Sequence, residues 1–155
     1  MDTAELIDPV GVVEPGGHAL DELRELAETC DPRVLDQLLR EAELEARALE
    51  ARRAVLLAAA ERRKVYRADA HASIWGMLRA NLSWSDAECR NRMRIARLCD
   101  RFPEALDALA SGDAPVANLG EIARGFANPR VGEQIEGVLG QLLNDAARLE
   151  HDEIR

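Results

Sequence analysis

Aromatic side chains are nearly missing from this 155-residue chain, which has two tryptophans, one tyrosine and two phenylalanines. Valine, isoleucine and threonine together number only 17, too few to build a core from sheets. No strictly apolar run exceeds the seven residues from Ala54 to Ala60, far short of the roughly 20 needed to span a bilayer. Lysine occurs once, at Lys64, so arginine supplies almost all the positive charge. A GC-rich coding sequence can produce that skew, so the placement of the arginines carries more weight than their number. The three cysteines, Cys30, Cys89 and Cys99, form no CxxC pair. Cys89 and Cys99 fall on one expected helix, about 15 Å of rise apart, out of disulfide reach. All three read as small buried side chains in a reducing compartment. The acidic segment Met1 to Pro15 has no basic stretch leading into an apolar one, so it does not read as a secretory signal, and the expected location is cytoplasmic.

Catalytic and cofactor signatures are missing too. His18, His71 and His151 are far apart, and none sits in an HExxH or similar ligand pattern, so no metal site is expected. There is no phosphate-binding GxxxxGK loop, no GxGxxG turn and no GxSxG elbow. His151-Asp152-Glu153 is polar enough for acid–base work but reads as a solvated helix end. The expectation is therefore no catalytic residue and no cofactor within this chain.

What the chain has in quantity is alanine, 26 residues, and leucine, 21, both strong helix formers. Charged residues make up 32% and the net charge is −9, which favours solubility and, for the whole chain, repels nucleic acid and anionic lipid. The expected fold is all-α, with six or seven helices. Residues 1–17 read as a flexible or irregular leader, and residues 18–155 as a single helical domain. Within that domain the periodicity predicts helices over about 18–29, 32–64, 72–81, Ser83 to 101, 103–110, 115–126 and 131–150. Ser83, three residues before Asp86, is the expected N-cap of the fourth. The last amphipathic pattern meets no stop signal, so the chain reads as the N-terminal part of a longer architecture.

The long helix over about 32–64 carries a seam of Leu35, Leu39, Ala42, Ala46, Leu49, Leu56 and Ala60, alternating steps of four and three with Arg53 as the one interruption. One reading makes it a core-facing stripe. The other makes it the interface of a homodimer, with Leu35, Leu39, Leu49 and Leu56 as contact residues and the chain's arginines in salt bridges to Glu41, Glu45 and Glu50.

Residues 72–101 form a helix-turn-helix-like pair. On its second helix Arg90, Arg94, Arg97 and Arg101 fall on one stripe between two apolar flanks. Trp84, Ala87, Ile95, Leu98, Cys99 and Phe102 form one flank, and Cys89, Met93 and Ala96 the other. Residues 62–101 hold ten basic side chains against four acidic ones, a net +6 in a chain whose total is −9. Such a row can contact the phosphates of double-stranded DNA, with Arg79 as a weaker addition. It can equally pair with the acidic long helix or remain a solvated face. Asp86 and Glu88, at the end of the helix that would enter a groove, oppose the first of these.

Several segments in order resemble one known family. An Ala/Arg-rich long helix from Glu45 to Arg63 is followed by Ser73-Ile74-Trp75-Gly76-Met77-Leu78, then Leu82-Ser83-Trp84-Ser85-Asp86-Ala87-Glu88. Next come Arg90-Asn91-Arg92-Met93-Arg94-Ile95-Ala96-Arg97-Leu98, Phe102-Pro103, Leu109-Ala110-Ser111-Gly112 and Ala117-Asn118-Leu119-Gly120-Glu121-Ile122-Ala123. Their order and spacing over roughly 110 of the 155 residues resemble the actinobacterial 13E12-repeat family, also called domain of unknown function 222. The resemblance implies a helical region that precedes an HNH endonuclease domain. No HNH segment is present in these residues, so no cleavage chemistry transfers to any of them.

Overall fold

The computed structural model describes residues 17–150 and Glu153. The proposed leader, apart from Gly17, and His151-Asp152 therefore lie outside the described residues. Seven α-helices follow in chain order: α1 (Gly17–Thr29), α2 (Pro32–Arg63), α3 (Ile74–Leu82), α4 (Asp86–Arg101), α5 (Pro103–Ser111), α6 (Val116–Phe126) and α7 (Gly132–Arg148). A single 3₁₀ turn, Val65–Arg67, separates α2 from α3, and the described residues contain no strand. The fold is all-α, as composition predicts.

The chain divides into two compact units, one through Arg40 and one from Glu41 onward, with the boundary inside α2. In the first unit, Asp31 accepts a hydrogen bond from the Arg33 amide at 2.8 Å, and Pro32 begins α2 where its missing N–H costs nothing. Leu20, Leu23 and Leu26 of α1 are exposed, as are Val34, Leu35 and Leu39 of α2.

In the second unit the core gathers around α4. Cys89, Met93, Ile95, Ala96, Leu98 and Cys99 are all buried, so this helix is covered on two flanks at once. The same core takes in Ile74 and Leu78 of α3, Ala105 and Leu109 of α5, Leu119, Ile122 and Ala123 of α6, Leu139 and Ala146 of α7, and Ala51, Ala54 and Leu57 of α2. Gly120 permits the close approach of α6 to α4, since a Cβ there would sit 3.2 Å from Asn91 Oδ1. Phe102 and Phe126 meet edge to face at 5.3 Å. Asn118 is the buried polar residue of this core, 2% exposed. Its Nδ2 donates to the carbonyls of Ala146 at 3.0 Å and Leu149 at 3.2 Å, at the end of α7 where carbonyls lack intrahelical partners.

Two local expectations need correction. Ser83 does not cap α4: it ends α3 in the left-handed conformation, φ 56°. The cap is Ser85, whose Oγ accepts from the Glu88 amide at 3.2 Å while Glu88 returns a carboxylate to the Ser85 amide at 2.9 Å. Both Ser-x-x-acid spacings exist in the sequence. The glutamate, one methylene longer than Asp86, can reach back to the N-cap amide and close the box. Because α4 starts later than expected, Ala87 lies in its first turn and is exposed, and Trp84 is half-buried.

Burial also decides the thiol chemistry. It pushes the Cys99 thiol up to about 12 and raises that of Cys89, so neither is a thiolate at neutral pH. Cys30 is half-buried. Ellman's reagent on the native protein is expected to modify Cys30 first and to reach Cys89 and Cys99 only on unfolding. Three equally fast thiols would contradict this core.

Candidate nucleic-acid interface

The capping box at Ser85 sets the phase of α4, and that phase puts Arg90, Arg94, Arg97 and Arg101 on the strip left between its two buried flanks. The four do not share one environment. Arg97 forms a two-pronged pair with Glu61 of α2, Nε to Oε2 at 3.0 Å and Nη2 to Oε1 at 2.5 Å. That hydrogen-bonded pairing raises the pKa of the guanidinium further above its ordinary value. Arg101 reaches Glu136 of α7, Nη2 to Oε1 at 2.6 Å, and its guanidinium carbon lies 5.3 Å from the centre of the Phe102 ring. Arg79 meets Asp86 at 3.2 Å. Arg90 is exposed and Arg94 half-buried, and neither forms an ion pair among the described residues. Of five candidate phosphate contacts, two are therefore closed by carboxylates from neighbouring helices, one is shared and two are open.

Further straps were not visible as a pattern in the sequence. The Arg92 guanidinium sits 4.2 Å from the centre of the Trp84 ring, with Glu50 Oε2 at 3.8 Å and Glu88 Oε1 at 3.7 Å. Arg62 of α2 pairs with Asp100 of α4. Arg47 donates at 2.6 Å to the carbonyl of Gly112, whose own positive φ of 84° favours glycine. Only the i,i+4 spacing of Glu88 and Arg92 signals any of this in advance. Glu50, expected to receive an arginine of the stripe, instead pairs with Arg53 and Arg92, which lie outside it. Exposed pairs of this kind contribute about 0–1 kcal/mol each, so they fix side chains more than they stabilise the fold.

In the second unit the seam residues Leu49 and Leu56 are exposed and lie off the stripe of α2 that is buried, although Ala60 packs against the core. Ala51, Ala54, Leu57 and Ala58 are buried. Leu39 is 64% exposed and Leu56 69%, and Leu35 and Leu49 are exposed too. The buried stripe is mostly alanine, whereas these leucines are exposed. Val55 and Leu56 border an open apolar hollow of about 590 Å³ together with Ala48, Leu106 and Ala110.

The first turn of α4 is acidic, with Asp86 and Glu88, which suits the helix dipole. Among the described residues no group of three or more His, Cys, Asp or Glu side chains is arranged to hold a metal ion, and no helix is long and apolar enough to cross a membrane. Comparison of the chain with family models, curated proteins and solved structures finds no match.

Hydrogen bonds from the Ser85 amide and hydroxyl hold the Glu88 carboxyl below its ordinary value of 4.5. A lowered carboxylate contributes stability above its unfolded value, and loses it as pH falls through the folded one. Thermal melts followed by circular dichroism should place Glu88→Gln below the parent above pH 4.5 and converge with it in stronger acid. A constant difference across that range would remove Glu88 as the source.

Proposed function

We propose that this chain is a non-catalytic helical module that associates with a second copy through the outward seam of α2. The observation that carries the reading is the exposure of the seam leucines, whose heptad order survives although the fold does not cover them. Leu35, Ala42, Leu49 and Leu56 recur every seven residues, with Leu39, Ala46, Arg53 and Ala60 four residues after each. Arg53 is the polar interruption, of the kind that fixes register between two helices at some cost in stability. Each leucine withdrawn from water contributes about 1.5–3 kcal/mol, against the cost of association. Pairing of Arg97 with Glu61 and of Arg101 with Glu136 supports the same reading, since it removes half of the arginine stripe from other partners. The resemblance to the 13E12-repeat family adds the proposal that the module accompanies an HNH nuclease domain supplied elsewhere. Sedimentation at tens of micromolar is expected to give a dimer, and Leu49→Glu with Leu56→Glu a monomer that melts as a folded helical protein. A parent that stays monomeric at that concentration rejects the reading.

Arg90 and Arg94 favour a second reading, double-stranded DNA as a partner, because both are left without a carboxylate among the described residues. Two phosphate contacts give a slope of log affinity against log salt of about −2, and four give about −4 if the Glu61 and Glu136 pairs open. A duplex titration at two ionic strengths is expected to give the shallower slope, and Arg90→Ala with Arg94→Ala to abolish binding. Affinity that ignores salt, or that survives the double substitution, rejects DNA.

A further inference from the structure

One of the chain's two tryptophans, Trp75, packs in part against the core and also borders two arginines. Ser73 caps α3, accepting from the Gly76 amide at 3.2 Å, and so places Trp75 and Arg79, four residues apart, on one face. The box at Ser85 does the same for Asp86 and Arg90 on α4. The left-handed turn at Ser83 sets these two faces opposite each other, and together the four side chains line a depression of about 370 Å³. That volume is within the roughly 300–1,000 Å³ of small-molecule sites. The indole is half-buried, so part of its surface is open to solvent. Arg90 has no ion-pair partner among the described residues, and the Arg79–Asp86 pair is more than half exposed on both sides and readily exchanged. The other tryptophan, Trp84, is occupied by the Arg92 guanidinium.

We propose that this depression binds a nucleotide unit, with its base stacked on Trp75 and its phosphate between Arg79 and Arg90. An aromatic ring accepts any base by its π-face, and guanidinium forks match phosphate oxygens, which outnumber those of a carboxylate. Asp86, the one carboxylate in the lining, accepts from an exocyclic amino group or a sugar hydroxyl. A base inside a duplex has both faces stacked and cannot enter, so the occupant is a free mononucleotide or an unstacked residue of a single strand. The site is independent of the α2 seam, and either can fail without the other.

Trp84→Phe leaves Trp75 as the sole indole and makes its fluorescence the readout. In that background, adenosine monophosphate is expected to quench saturably. Adenosine alone and inorganic phosphate alone should each bind at least about tenfold more weakly. Arg90→Ala should weaken the monophosphate by about tenfold and leave adenosine unchanged, with the melting temperature confirming an intact fold. A short oligodeoxyadenosine strand that binds about tenfold tighter than the monophosphate assigns the site to single-stranded nucleic acid, and equal affinity assigns it to the free nucleotide. No saturable quenching by either probe overturns the proposal, as does phosphate binding as tightly as the monophosphate, or an Arg90→Ala variant that binds like its parent.

Discussion

The second unit of this protein depends on one constraint: α4 must bury two flanks at once. Cys89, Met93 and Ala96 face one way, and Ile95, Leu98 and Cys99 another, and all six are buried. A helix packed on two sides keeps one strip for solvent, and here that strip carries arginines. Neighbouring helices therefore pass close to guanidinium groups on both edges, and where they bring a carboxylate the charge is taken up. Glu61 arrives on α2 and Glu136 on α7, so Arg97 and Arg101 become straps between helices. Arg90 and Arg94, nearer the start of α4, meet no such carboxylate among the described residues.

The long helix shows how the size of a side chain divides two faces of the same element. Its buried stripe is mostly alanine, which contributes little apolar area per residue. Polar straps from Arg47, Glu50, Glu61 and Arg62 to the region from 92 to 112 accompany that thin packing. The leucines at 49 and 56, by contrast, are exposed. Among the described residues the buried polar side chain is Asn118, which closes the end of α7. Burial keeps the Cys89 and Cys99 thiols protonated.

Amino-acid order alone determined the helices and most of their ends. Alanine and leucine set the class, the prolines at 32, 103 and 115 and the glycine at 112 set boundaries, and the apolar period set which face of α4 is buried. These are short-range effects, decided within one or two turns of chain. Even there, Ser83 against Ser85 turned on the reach of a single methylene, which spacing rules do not weigh. Tertiary structure decided everything that joins distant residues. Arg97 and Glu61 are 36 positions apart, so no local pattern links them. Which apolar stripe of α2 faces the core depended on what packs against it, and the notch that unites Trp75 with Arg90 exists only because the Ser83 turn folds two helix faces toward each other. Local propensity acts through backbone torsions near in sequence, whereas charge pairing and burial act through distance in space, which only the packed chain defines.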